Sequence, residues 1–339
     1  MTSTTNVPFK LAGDLTSRIN NRRTPEVAKR FHECTISHKA FKTGMEALRH
    51  THGLSGLEGG GMIVEGVPGV GKTTLLNNYV ADVYRQLATE PLDAETKWLP
   101  VLKERIPGRP TIPRLIEKLL RGVNHVKPRS RNRETMEDRL HTLIEEQGVE
   151  MLILDEYQHL LRTDKYADDT LKFLKVFADD HKLALVFAGL PCGAKVLDAH
   201  PEIRERLSFD HVILRPFDMA NTDNYIDYVK YIKGIESKLT EIGVDCCDLS
   251  TEDFLPRLLL ATQGKPRLIA RLILRMLIAF GNSKSITQSE FERTFSKIPF
   301  NSHLKNFNPF NKSSAIESIV TKQHELESLR AKKRLEEIS

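Results

Sequence analysis

The sequence predicts an α/β protein: a three-layer core built on a parallel β-sheet, followed by a small C-terminal all-α lid. Three observations predict it. Short unbroken apolar runs alternate with segments of helical period up to about residue 220, the pattern of parallel strands covered on both faces. From about Asn221 to Lys297 the pattern is helical only. The first apolar run also passes through a glycine-rich loop directly into a helix, the order strand, loop, helix.

The elements follow in order. Residues 1–60 read as an N-terminal helical extension, with Val27, Phe31, Phe41, Met45 and Leu48 at helical spacing after Pro25. Met62-Ile63-Val64 is a first short strand, and a helix runs from Lys72 to about Leu87. A second strand is expected over Leu99–Arg105, and a helix from near Pro113 to Arg121. Residues 127–133 read as an exposed basic loop, and Glu134–Glu146 as a helix. Met151-Leu152-Ile153-Leu154 is an unbroken apolar run that ends in Asp155-Glu156. A helix over Asp169–Asp180, a buried strand over Leu183–Ala188 and a last strand at Val212–Leu214 complete the core. The expected domains are therefore an extension over 1–60, an α/β core over 61–220, an α-helical lid over 221–300 and a tail over 301–339. In that tail, residues 301–311 read as irregular and 313–338 as a charged, solvated helix, with partner docking as the alternative.

Composition narrows the class. A chain of 339 residues is long enough for two domains or one with an appendage. With 40% hydrophobic and 28% charged residues it is an ordinary folded protein, which excludes disorder throughout. No window reaches the roughly 18 consecutive apolar residues of a membrane span; Leu268–Phe280 is broken by Arg271 and Arg275. The N-terminus has no apolar signal segment, and Cys34, Cys192, Cys246 and Cys247 sit in no metal-ligand spacing. The expectation is a reduced, cytoplasmic chain with no membrane partner.

Charge is uneven. Lys97–Arg133 holds eleven Lys/Arg against Glu104 and Glu117, a local +9 within a chain of net +5, so the rest is near −4. A concentrated basic segment on a near-neutral body is the footprint of a polyanion partner, with a solvated charged face as the alternative. Trp98 is the one Phe, Tyr or Trp between those limits, so contacts to phosphates rather than stacking on bases are expected.

The motif with the most specific chemistry is Gly66-Val67-Pro68-Gly69-Val70-Gly71-Lys72-Thr73, a full G-x-x-x-x-G-K-T followed by Thr74. Its glycines let successive backbone N–H groups point at phosphates, and the helix start adds a positive dipole end. Lys72 is expected to reach the β- and γ-phosphates of ATP, and the Thr73 hydroxyl to ligate Mg2+. Asp155, at the end of its strand, is expected to hold a magnesium water, and Glu156 to orient or deprotonate the hydrolytic water. A buried strand ending in surface acids is the bland alternative. A guanine-specifying Asn-Lys-x-Asp is absent, because Asn311-Lys312 continues into Ser313-Ser314. Two further sites carry arginines. Arg204 and Arg206 precede the last strand, where one of them is placed to reach a neighbouring subunit's γ-phosphate. Arg267 starts a lid helix after Gly264-Lys265-Pro266, as a cation over the nucleotide or simply a helix-start cation.

The set GVPGVGKT, MLILDEYQHLL, FAGLP, RERLSF and GKPRLIARL resembles a P-loop AAA+ ATPase, and more narrowly the transposition regulators of the TnsC/TniB/MuB group carried by Tn7-like elements, over about residues 30–285. The resemblance implies an ATP-dependent homo-oligomer, ring or filament, that wraps double-stranded DNA and recruits transposase subunits. In such systems the target comes from a DNA-binding partner or, through a TniQ-type adaptor, from an RNA-guided effector. It further implies Lys72, Thr73, Asp155 and Glu156 for nucleotide chemistry, Arg206 or Arg204 as a finger, and Arg267 as a lid sensor. Lys103, Arg105, Arg109, Lys127, Arg129 and Arg131 become the candidates for DNA phosphates. One departure stands out: such enzymes end the strand after Asp-Glu with a polar sensor, and Leu183–Leu190 offers none. The alternative within the same class is a replication initiator or helicase loader.

Overall fold

A computed structural model describes residues 24–57, 60–88, 98–124, 132–161, 165–191, 210–281, 285–298 and 307–338, with Glu205 and Leu304. The chain divides into two compact units, Lys39–Arg215 and a second formed by residues up to His38 with Pro216–Ser339. Residues 26–33 and 39–53 thus fall in different units, although both read as one lead-in along the sequence.

The first unit carries α2 (Lys39–Gly53), β1 (Gly61–Gly66), α3 (Lys72–Leu87), β2 (Val101–Arg105), α4 (Ile112–Asn124) and α5 (Arg133–Glu146). It continues with β3 (Met151–Asp155), a 3-10 turn (Tyr157–Leu161), α6 (Lys165–Asp180), β4 (Ala184–Gly189) and β5 (Asp210–Leu214). The five strands form one parallel sheet in the order β2-β3-β4-β1-β5. Alternate residues of β1 to β4 enter two separate cores, as the two-residue period of a strand requires, while the edge strand β5 buries only Val212 and Leu214 on one face. Ile63, Leu152, Leu154, Leu185 and Phe187 pack with Leu119, Leu140 and Phe177 of α4, α5 and α6. Met62, Val64, Ile153, Val186 and Val212 pack with Leu48, Leu75 and Leu76 of α2 and α3. Helices on both faces explain why the strands read as continuous apolar runs instead of alternating ones.

The register aligns the functional edge. Arg105 of β2 stands beside Asp155 of β3, which stands beside Ala188 of β4, and one position on Gly189 of β4 stands beside Glu65 of β1. All of these lie at the carboxyl ends of the strands, where open α/β sheets bind ligands.

The second unit is helical: α1 (Glu26–Glu33), α7 (Thr222–Glu241), α8 (Phe254–Thr262), α9 (Pro266–Phe280), α10 (Gln288–Ser296) and α11 (Ile316–Ile338). Its core is built from Phe31, Tyr228, Ile235, Leu258, Leu259, Ile273, Met276, Phe291, Phe310 and Ile319. The C-terminal helix is not solvated along its length. It packs along α8, with Ile319 and Gln323 both 0% exposed. Ile316, Ile319 and Gln323 lie three and four apart and so share one face, which a count of charges over the segment conceals.

Candidate active site

The loop after β1 takes its form from its glycines. Gly71 sits at φ 106, a left-handed conformation that β-carbon-bearing residues avoid, and turns the chain into the N-terminus of α3. At Gly66 a Cβ would lie 2.5 Å from the backbone oxygen of Leu214, so only glycine lets the loop leave β1 against β5. The first turn of α3 holds Lys72, Thr73 and Thr74, the last two exposed, and its leading N–H groups have no carbonyl within the helix to bond. Val70 is buried and anchors the loop, Val67 packs half-buried against the same core, and Pro68 is exposed.

Lys72 donates to Gly66 O at 2.5 Å, with Val67 O at 3.5 Å. Burial pushes its ammonium below the ordinary lysine range, against the pull of Asp155, Glu156 and Glu65. Its partners are loop carbonyls, which phosphate oxygens can replace with a better-matched charge.

Thr73 Oγ1 stands 3.5 Å from Asp155 Oδ2, and Asp155 Oδ1 accepts the Glu156 N–H at 2.9 Å. A hydroxyl and a carboxylate, both hard oxygen donors, facing each other beside a phosphate loop form a donor set that suits Mg2+, which takes one or two protein oxygens and fills its octahedron with phosphate and water. ATP fits the same test: N–H donors at the start of α3, a cation beside them, and a glycine loop that turns on Gly66 and Gly71.

Glu156 adopts φ 63, rare for a residue other than glycine and held only where neighbours over-determine it. Two neighbours do so. Arg105 Nη2, from the end of β2, lies 3.2 Å from Glu156 Oε1, and Gln158 Nε2 donates to Glu156 Oε2. Behind them, Tyr157 Oη donates to Glu65, and His211 Nε2 on β5 pairs with the other Glu65 oxygen at 2.9 Å.

The structure therefore brings Lys72, Thr73, Asp155 and Glu156 together. It also brings in two residues of the basic segment. Arg105 pairs with Glu156, and Lys103 donates to Asn77 of α3, its ammonium pushed down by burial despite nearby Asp155. Arg109 is exposed in the loop after β2. Arg267 is an exposed residue in the first turn of α9, in the helical unit. Lys127, Arg129, Arg131, Arg204 and Arg206 lie outside the described residues. Sequence reasoning passed over Glu65, Tyr157, Gln158 and His211. Glu65 did leave a signal, as a lone carboxylate closing the apolar run Met62-Ile63-Val64.

Strand, glycine loop, helix and a carboxylate-tipped strand two places away in the sheet define an ATP-binding P-loop protein of the AAA+ class. Within that class, the chain matches the model of the family described as "Bacterial TniB protein" over residues 26–217, more than half its length. It belongs to the TniB family, the transposition-associated branch of these ATPases. A Staphylococcus aureus protein described as a potential ATP-binding protein is 29% identical over 129 residues, which are 37% of this chain and 41% of that protein. The chain thus matches less than half the length of that relative. Two solved structures share the fold. The Drosophila ORC structure bound to DNA is 15% identical with a TM-score of 0.51, covering 98% of this chain and 82% of that one. The Aeropyrum pernix ORC2 protein is 16% identical with a TM-score of 0.56, covering 79% and 71%. No helix among the described residues is long and apolar enough to cross a membrane.

Proposed function

We propose that the chain is an ATP-hydrolysing, DNA-binding regulator of transposition that oligomerises on target DNA, recruits and activates transposase, and is released when ATP is hydrolysed. The observation that carries this reading is the convergence of Lys72, Thr73, Asp155 and Glu156 at one sheet edge in a chain of the TniB family.

In this reading Lys72 and the loop N–H groups hold the β- and γ-phosphates, while Thr73 and Asp155 hold Mg2+. Bound magnesium neutralises phosphate charge. Glu156 takes a proton from the attacking water as its oxygen bonds to the γ-phosphorus, and the bond from that phosphorus to the ADP oxygen breaks. An arginine from a neighbouring subunit, Arg206 or Arg204, completes the charge on the transferring group, and Arg267 reports the nucleotide to the lid. ATP would thus sit between subunits, so that turnover depends on assembly.

The basic segment supports a duplex DNA partner held by its backbone. Arg109, Lys127, Arg129 and Arg131 are the contacts, with Lys103 and Arg105 at the border between DNA and nucleotide. Binding by phosphate neutralisation is steeply salt-dependent and nearly blind to sequence. A TniQ-type adaptor would then connect the assembly to a target selector. The test is ATP turnover together with negative-stain imaging, with ATP or a slowly hydrolysed analogue, with and without duplex DNA, at two salt concentrations. Rings or filaments that need nucleotide and are favoured by DNA at low salt support the reading. A monomer that binds ATP and ignores DNA overturns all of it except the nucleotide site.

A further inference from the structure

Strand β4 lies between the two strands that carry the phosphate loop and Asp155, yet it offers no polar side chain at its end. Ala188 stands beside Asp155, and Gly189 beside Glu65. What occupies this place comes from the 3-10 turn after β3. Gln158 Oε1 accepts the Leu190 N–H at 3.2 Å, and Gln158 Nε2 donates to Glu156 Oε2. The amide's orientation follows from its partners, because a backbone N–H needs an acceptor and a carboxylate needs a donor.

Gly189 makes room for this arrangement. A Cβ there would lie 2.3 Å from Gln158 Oε1 and 2.5 Å from Tyr157 Cδ1. Gly189 is not among the residues with positive φ, so its glycine serves space and not backbone conformation. The absence of a side chain on β4 and the presence of the amide beside Glu156 are two aspects of one packing solution.

We propose that Gln158 is a positioning residue of the hydrolytic glutamate, supplying from the turn the polar group that β4 lacks and holding Glu156 Oε2 while Arg105 pairs with Oε1. It holds one oxygen of Glu156 in the orientation that the unusual backbone at this residue imposes, and it carries no proton itself. Being neutral, the amide orients the carboxylate without adding to the positive charge that Arg105 already brings. Each carboxylate oxygen has two acceptor positions, so the bond to Gln158 leaves Glu156 able to take a proton from water.

The inference rests on hydrolysis through Glu156, and its test separates the two. Steady-state ATP turnover and binding of a fluorescent ATP analogue are measured on the full chain with duplex DNA, for wild type, Glu156→Gln, Gln158→Ala and Gln158→Glu. Gln158→Ala is expected to lower kcat by about 10-fold or more while nucleotide affinity stays within about twofold. Gln158→Glu keeps an acceptor for the Leu190 N–H but sets a second carboxylate against Glu156. Its turnover should fall as far as that of Gln158→Ala, with nucleotide affinity again within about twofold. Gln158→Glu is nearly the same size as glutamine and gives the answer if Gln158→Ala does not fold. Full turnover in Gln158→Ala, or in Gln158→Glu, overturns the positioning role and leaves only a structural bond to Leu190. Wild type without turnover, or Glu156→Gln with normal turnover, removes the premise instead.

Discussion

Lys72 of the α/β unit and Arg257 of the helical unit are both cations withdrawn from water, and they are held in opposite ways. Arg257, 4% exposed, uses all five of its N–H donors. Two go to the Asp253 carboxylate at 2.8 Å each, and the others to the carbonyls of Pro309, Asn311 and Ser314 at 2.7, 3.2 and 3.2 Å. Among the described residues Lys72 bonds to loop carbonyls alone, and burial works against its charge. A cation with every donor matched is structure, since any rearrangement leaves donors orphaned. A cation resting on replaceable acceptors is poised for a ligand that matches it better. The same contrast runs through the neighbours. In the helical unit Tyr228 and Thr262 bond to the carbonyls of Leu255 and Leu258, while at the sheet edge Arg105 and Gln158 each bond to the Glu156 carboxylate.

The largest expected effect tests the poised side. Lys72→Ala should abolish ATP turnover and weaken nucleotide binding by about 100-fold, with the melting temperature of the nucleotide-free chain nearly unchanged. The readout is the thermal shift on adding ATP, worth about 2.7 kcal/mol in a binding-competent chain at a hundredfold excess over Kd and lost in the variant. A variant that melts early without nucleotide would make Lys72 a structural cation like Arg257 and erase the contrast. Glu156→Gln should cut turnover by about 100-fold while the ATP-induced shift survives, which separates chemistry from binding.

Arg257→Ala should show the reverse. Removing the clamp leaves several carbonyls and a carboxylate without donors and should cost about 3 kcal/mol, read by denaturant unfolding followed in the helical unit. Nucleotide binding should persist within a few-fold. If unfolding is unaffected, the residues after Pro309 do not need the clamp.

Arg109→Ala addresses the basic segment and should reduce the slope of log affinity for duplex DNA against log salt by about one phosphate contact. An unchanged slope would leave Arg109 as a solvated charge. The smallest effect concerns pH. His38 is buried between Phe217 and Tyr231, and burial holds its imidazole below its ordinary value despite Asp227 at 3.5 Å. The unfolded chain therefore binds the proton more readily. Stability should be fully present above about pH 6.5 and decline as pH falls below it, where unfolding gains a proton. His38→Gln should flatten that decline in urea midpoints taken across the range, and an unchanged pH profile would assign it to other groups.

How much of this was legible along the chain differs by element. The strands at Met62–Val64, Met151–Leu154 and Leu183–Ala188 were readable because a strand buried on both faces must be apolar at every position. Helix α3 begins at Lys72 and ends at Leu87 as expected, since the glycine that ends the loop also starts the helix. The C-terminal helix was misread as solvated: its buried face is one residue in three or four, and its partner α8 lies far away in sequence.

The site divides along the same line. Gly66 to Thr73 are contiguous, and Asp155-Glu156 close an apolar strand, so local chemistry alone identified them. Residue type and spacing were enough for the core strands and helices, their order, and the site residues whose neighbours along the chain explain them. The folded chain alone sets Arg105 against Glu156, puts Gln158 in the space left by Gly189, and closes Arg257 on the carbonyls of Pro309, Asn311 and Ser314. Those pairings depend on which strand lies beside which and on how closely two backbones approach, and residue type and spacing along one chain carry no record of either.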